Sequence, residues 1–285
     1  MTMVEAAKIA FQLSLFVVIL GYGLTAHFSD VLYVLRRPGL LARSVLAVLI
    51  VAPVLAILLV RLLELRPQIA IALVTLSLSP LPPLLPRRGE KAGGHVQYAL
   101  GLVIILAVLV VPVLTMAAML LDDIFGRQLV SRPGAIGELM AISVLAPLGA
   151  GMAIRARWPD AATRIALPIQ RAQKWVLPIA MIALLISAAP EMWKLIGEST
   201  LVAMLAFIAG TFAIGHLLGG PDRESSTVLA FASSCRHPAT ALAIASANFP
   251  NADEHAAVAL YGLLTAALGM LYTLWTRRRA VTSPS

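Results

Sequence analysis

Arg236, His237 and Pro238 stand together near the middle of a long apolar run, Ser225 to Pro250. A charge at mid-bilayer depth costs roughly 2.5–3.5 kcal/mol on insertion scales, so such a residue faces a cavity, a partner or a substrate rather than lipid. Pro238 has no backbone N–H and interrupts the helical ladder. A guanidinium is a planar fork of donors that suits a carboxylate or sulfonate. The neighbouring imidazole could relay protons near neutral pH, or could bond a carbonyl freed at the interruption. Ser233 and Ser234 could bind a substrate, or cap freed backbone and pack against neighbouring helices. A second cluster, Pro80, Pro82, Pro83 and Pro86, falls within seven residues, too dense for a regular helix. Two broken helices in a membrane chain, one carrying a charge, are the sequence mark of a transport site.

The elements that must hold these residues are transmembrane helices. The chain has 285 residues, 60% of them hydrophobic, and a mean hydropathy of +0.90. Soluble domains are nearer 45–50% apolar. In lipid the backbone must satisfy itself, which makes the fold class all-α, a single polytopic helical bundle. Nine stretches reach or approach the roughly 20 residues needed to span. They lie near Ala7–Ala26, Leu41–Leu63, Pro67–Pro86, Val96–Leu121, Ile136–Ile154, Trp175–Ala189, Thr200–Leu218, Thr227–Phe249 and Ala256–Trp275. The first has no cleavage site of small residues and is not read as a signal peptide. The two broken spans are five apart and therefore antiparallel.

Lys and Arg set the orientation. With the N-terminus outside, the inner loops carry Arg36, Arg37, Arg43, Arg87, Arg88, Lys91, Arg155, Arg157, Arg164, Arg171, Lys174, Arg223 and Arg277 to Arg279. That leaves Lys8, Arg61, Arg66, Arg127, Arg132 and Lys194 outside. The expected placement is a bacterial inner membrane, N-terminus out and C-terminus cytoplasmic. The net charge of +8 follows from this bias, so residues 277–285 read as a cytoplasmic tail rather than a nucleic-acid arm.

Other chemistries find little support. Cys235 is the single cysteine, which excludes an intramolecular disulfide and a cysteine zinc site. It reads as a small buried apolar residue. The Gly89–Gly94 loop, GEKAGG, lacks the Walker pattern. No protease constellation and no cofactor motif is present, so no catalytic residue, metal site or cofactor is expected. Glu138 and Glu198 lie near span ends, which gives a carboxylate proton relay little basis, although Glu138 could turn inward and pair with Arg236.

The chain resembles the bile acid:sodium symporter superfamily along nearly its whole length. The resemblance rests on GYGLTAHFSDVLYVLRRPG (Gly21–Gly39) leading into a span with Pro53, on SLSP ending at Pro80, on VLAPLGAGMAIR (Val144–Arg155), and on ALAIASANFP closing the eighth span. It implies two inverted five-helix repeats, forming a core domain and a panel domain, with the two broken helices crossing in the core. It also implies that the first family helix is missing, leaving nine. The first repeat would run over about 1–125 and the second over about 133–276. Core spans would cover about 41–121 and 200–275, and panel spans about 7–28 and 136–190.

The resemblance does not extend to the ion ligands. After the proline matching Pro80 the family reads Gly-Gly-x-x-Ser-Asn, and this chain has Leu81-Pro82-Pro83-Leu84-Leu85-Pro86. The family's Glu-x-Gly-x-Gln-Asn becomes Ala232-Ser233-Ser234-Cys235-Arg236-His237, and a family glutamine falls at Val48. Hydroxyls expected after the first crossover give way to Leu102–Val111. Hard cations need oxygen ligands, and these side chains offer few. The expectation is a secondary transporter of a small organic anion working by alternating access, with Arg236 replacing the cation or binding the anion. Substrate contacts are expected from Arg236, His237, Ser233 and Ser234, and helix breaks at Pro80, Pro82, Pro83 and Pro238. Membrane lipid is the other partner, sodium is doubtful, and nucleic acid is not expected. Two alternatives remain: a sodium-dependent symporter with a rearranged ion site, and a non-transporting receptor or structural relative.

Overall fold

In a computed structural model the described residues are 16–79, 81–82, 84–125, 138, 141–195, 197, 199–238, 241 and 255–282. They form helices and turns, with no strand among them. The first helix, α1 (Phe16–Thr25), turns by 82° into the short α2 (Phe28–Leu35). His27 caps α2, and its backbone N–H donates to the Asp30 carboxylate at 2.8 Å. The predicted first span therefore ends in a sharp corner. Asp30, which the sequence reading passed over, is the buried carboxylate that makes it.

A long helix follows, α3 (Pro38–Leu62). Its middle, Leu46–Val51, is wound as a π-helix, and the Ala52 N–H donates to the Ala47 carbonyl five residues back. In that register residue 53 would donate to the Val48 carbonyl, but residue 53 is proline. The helix thus carries a buried carbonyl whose natural donor is missing.

The third predicted span is two helices, α4 (Pro67–Leu78) and α5 (Leu85–Lys91). Pro86 sits in the first turn of α5, where a missing N–H costs nothing. The α5 helix ends in a Schellman cap. Gly93 has φ +85°, its N–H donates to Glu90 O, and Gly94 N–H donates to Gly89 O at 2.8 Å. Most of the expected GEKAGG loop is therefore a helix end, and Arg87 and Arg88 lie on a helix rather than in a loop.

The remaining helices are α6 (Val96–Phe125), α7 (Ala146–Arg157), α8 (Pro159–Leu195), α9 (Thr200–Leu218), α10 (Arg223–Ser234) and α11 (His255–Thr282). The α8 helix is 37 residues, about 55 Å at 1.5 Å per residue. It absorbs Arg164, Arg171 and Lys174, which the charge pattern places in a loop. Pro38–Leu62, Thr200–Leu218 and Ala256–Arg279 are long and apolar enough to cross a membrane.

Two glycine contacts set how closely helices approach. On α1 and α7, a Cβ at Gly23 would come 2.9 Å from the Gly151 Cα, and one at Gly151 would come 2.6 Å from the Leu20 carbonyl. On α9, a Cβ at Gly215 would stand 2.5 Å from the Leu229 carbonyl and 2.7 Å from the Ser233 hydroxyl of α10. Small residues at such crossings let membrane helices pack backbone to backbone. The glycine-bearing motifs of the first and fifth predicted spans are thus the two sides of one contact. Buried residues of α3, α4, α6, α9, α10 and α11 share one apolar core, with Phe207, Met204 and Leu73 fully enclosed.

Four of the segments expected on the basic side, around Arg37 to Arg43, Lys91 to His95, Gly220 and Arg277, touch one another. Arg37 lies 3.6 Å over the Tyr33 ring, Tyr33 stacks on His95 at 4.6 Å, and Arg277 Nε donates to Lys91 O at 2.9 Å. Arg43 lies against Gly220 in the α9–α10 turn.

Candidate functional site

Both interrupted helices stop in the same way. The α4 helix ends at Ser79, which is extended at φ −69°, ψ 148°. The α10 helix ends at Cys235, extended at φ −83°, ψ 128°. An extended residue ends the ladder and leaves the preceding carbonyls without helical donors. After α10 the chain passes through residues 235–237, and Pro238 is again helical. Ala241 N–H donates to the His237 carbonyl at 3.1 Å. Pro238 thus occupies the first position of a new turn, where proline is favoured, and the interruption itself lies just before it. Pro82 lies buried between α4 and α5, and Pro80 and Pro83 lie outside the described residues.

Arg236 connects the two interruptions. It is 4% exposed. Its Nη2 donates to Val48 O at 3.1 Å and to Ser233 O at 3.0 Å. Its Nη1 lies 3.4 Å from Ser79 O. Three elements therefore give it backbone carbonyls: the π-wound segment of α3, the end of α4 and the last turn of α10. The Val48 carbonyl is the one that Pro53 leaves without a donor. The buried Nε has no hydrogen-bond partner among the described residues. Glu138 is exposed, and no carboxylate pairs with Arg236 among the described residues, so the expected alternative pairing of these two is not formed.

The serines bond their own helices, the second of the two roles the sequence allowed them. Ser233 Oγ donates to Leu229 O at 2.9 Å, and Ser234 Oγ donates to Ala230 O at 2.9 Å. Both are fully buried, with their protons turned back onto their own helix. Ser77 and Ser79 do the same on α4, donating to Val74 O and Leu76 O. His237 is buried beside Arg236, at 3% exposure.

Two residues at this place escaped sequence reading. The Tyr261 hydroxyl of α11 donates to the Ser234 carbonyl, supplying another donor to the end of α10. Arg88 of α5 reaches across to Cys235, its Nη1 lying 3.2 Å from the sulfur. Tyr261 lies in an apolar run and Arg88 in a basic cluster, so neither carried a local signal. Where α1, α6 and α7 meet the first interruption, Ile19, Tyr22, Leu81, Pro86 and Leu148 line a cavity of about 10 Å³, barely enough for one water.

The described residues are all-helical and include three helices long and apolar enough to cross a membrane, which is the class of a polytopic helical membrane protein. Residues 12–192 match the Sodium Bile acid symporter family. That is well over half of the chain, and the protein is a member of this family, whose members are transporters. Among curated proteins no relative matches the chain. The matched residues include the first interruption and end before Arg236.

Proposed function

We propose that the protein is a secondary transporter of a small organic anion in which Arg236 stands permanently where a coupling cation would bind. The observation that carries this reading is the ligand set of the guanidinium. Its bonds run to three backbone carbonyls contributed by α3, α4 and α10. Hard cations are held by converging oxygen atoms of this kind. A guanidinium supplies the same charge and cannot dissociate.

Arg236 has five N–H donors and spends three on these carbonyls. Nε and one Nη1 hydrogen are what it can offer an anion. Its main work is therefore to neutralise and join the two interruptions, and its contact with substrate is secondary. Core helices α3 to α6 and α9 to α11 would move against α1, α7 and α8 to open a midplane site alternately to each side. The inverted repeat, the core and panel division, and an N-out, C-in placement in a bacterial inner membrane belong to this proposal. His237, Ser233 and Ser234 would shape the site more than contact its ligand.

The test is thermal stabilisation of the purified protein by a panel of organic anions, each in sodium and in choline at equal ionic strength. Selective stabilisation by one anion in both salts is expected, followed by sodium-independent uptake of that anion into proteoliposomes. Stabilisation that requires sodium would overturn the proposal and support a symporter with a rearranged ion site. Stabilisation by no anion, with no uptake, would support a non-transporting relative.

A further inference from the structure

The basic end of the molecule holds a second cavity, of about 290 Å³, near the lower bound for small-molecule sites. Its α10 residues, Arg223, Ser226 and Thr227, lie about 14–20 Å along the helix from Arg236 at 1.5 Å per residue. Three elements distant in sequence form its walls: the C-terminal turn of α5, the α9–α10 turn with the start of α10, and the last turns of α11. Lys91, Arg223, Arg277 and Arg279 line it against a single carboxylate, Glu90.

Arg223 and Arg277 are positioned by backbone carbonyls. Arg277 uses its Nε on the Lys91 carbonyl at 2.9 Å, which leaves both Nη groups for a ligand. Arg223 Nη1 lies 3.4 Å from the Arg279 carbonyl. Neither contact is to a carboxylate, and both tie one wall of the cavity to another. Thr276 Oγ1 donates to Ala92 O at 3.1 Å, which fixes α11 against the end of α5. Trp275 adds a flat apolar wall, with the Arg279 guanidinium 4.3 Å over its ring. The first N–H groups of α10 are taken by the Asp222 carboxylate. Side chains rather than the helix dipole would therefore hold an anion here.

We propose that this cavity binds a phosphate ester, through Lys91, Arg223 and Arg277. Guanidinium groups pair with phosphate oxygens in a bidentate fork, and an ammonium adds a point charge. Trp at a helix end marks headgroup depth, so the phosphate can belong to an anionic phospholipid or to a soluble phosphorylated molecule. The site is separate from Arg236 and does not depend on what the protein transports.

The experiment uses the full chain in two arms. In nanodiscs of phosphatidylcholine with added phosphatidylglycerol, native mass spectrometry reads which lipid stays bound. In detergent, inorganic phosphate is titrated and the unfolding midpoint is followed. Retention of phosphatidylglycerol alone identifies a lipid headgroup, and a saturable midpoint rise with phosphate identifies a free phosphate. In whichever arm binds, Arg223→Gln with Arg277→Gln weakens binding at least tenfold, and Lys91→Gln weakens it less. Arg157→Gln, an exposed arginine outside the cavity, leaves it unchanged. No binding in either arm, wild-type binding by the double variant, or an equal loss in Arg157→Gln would overturn the proposal. If the double variant does not fold, Lys91→Gln decides the matter against Arg157→Gln.

Discussion

Between α4 and α5 the described residues are Leu81, Pro82 and Leu84, and the hydroxyl at the helix end, Ser79, is turned back onto Leu76. After α10 the corresponding stretch carries Arg236 and His237. One interruption supplies an acceptor and the other supplies donors. Arg236 reaches the Ser79 carbonyl at the first and the Ser233 carbonyl at the second, and adds the Val48 carbonyl of α3. The first interruption borrows its donor from the second, which also caps its own Ser233 carbonyl with Arg236. A broken helix in a membrane is tolerable only where its freed groups find partners in the protein, and here the first break depends on a donor from the second.

The largest effect should come from removing the shared donor. Arg236→Leu leaves three buried carbonyls without it, at about 1–3 kcal/mol for each group left unsatisfied. A fall in the unfolding midpoint of several degrees is expected in detergent, with Arg236→Lys in between. If Arg236→Leu is as stable as the parent, the two interruptions are independent.

Gly215→Leu should follow. Its Cβ would stand 2.5 Å from the Leu229 carbonyl, so α9 and α10 must separate and the end of α10 must move from Tyr261. Overpacking of this kind costs about 1–3 kcal/mol. The readout is thermal stability together with cysteine labelling, since Cys235 is buried in the intact protein and should become reactive only in the variant.

A double-mutant cycle sharpens the comparison further. Pro53→Ala returns a backbone N–H to the register that faces Val48 O. The loss caused by Arg236→Leu should then be smaller by about 1 kcal/mol, the net worth of one hydrogen bond. Strict additivity of the two changes would show that Val48 O is not a ligand of the guanidinium.

The smallest effect lies at the start of α10. Asp222 accepts from Ser225 N–H at 3.0 Å and from Glu224 N–H at 3.3 Å. Burial opposes its charge, but the hydrogen bonds from Ser225 and Glu224 outweigh it and hold the carboxyl below its ordinary value. The folded state therefore favours the ionised form. This contribution is complete above the ordinary carboxylate range and is lost as pH falls through the lowered value. Asp222→Ala should cost about 1 kcal/mol at neutral pH and should flatten that acid limb in a series of melts.

Hydropathy and charge located most of the helices, because a bilayer accepts few alternatives to a helix about 20 residues long. Proline density marked the first interruption, and an arginine beside a proline marked the second. The long α8 was not legible. Arg164, Arg171 and Lys174 look like a loop when only hydropathy is counted, yet helices carry such residues readily outside the membrane. The bond from Arg236 to Val48 was not legible either. It depends on a π-wound turn, and whether a helix takes one is decided by packing rather than by the sequence of Leu46–Val51. Tyr261 and Arg88 act across elements, and no local pattern announces such contacts. The serines of α10 were visible as polar residues, but the direction in which a hydroxyl turns is a matter of geometry.

The π-wound segment also has a meaning in chain length. A single wider turn in an otherwise α-helical rod amounts to one residue more than the rod requires. Deleting one residue between positions 46 and 51 would return the rod to a uniform ladder. The wide turn already absorbs that residue, so the helix on either side of the deletion would keep nearly the phase it has now. Ser44, 2.7 Å from the Tyr98 hydroxyl, would keep its face toward α6. One surplus residue thus loosens a single turn of α3, the turn whose Val48 carbonyl meets the guanidinium, without turning the rest of the helix away from its neighbours.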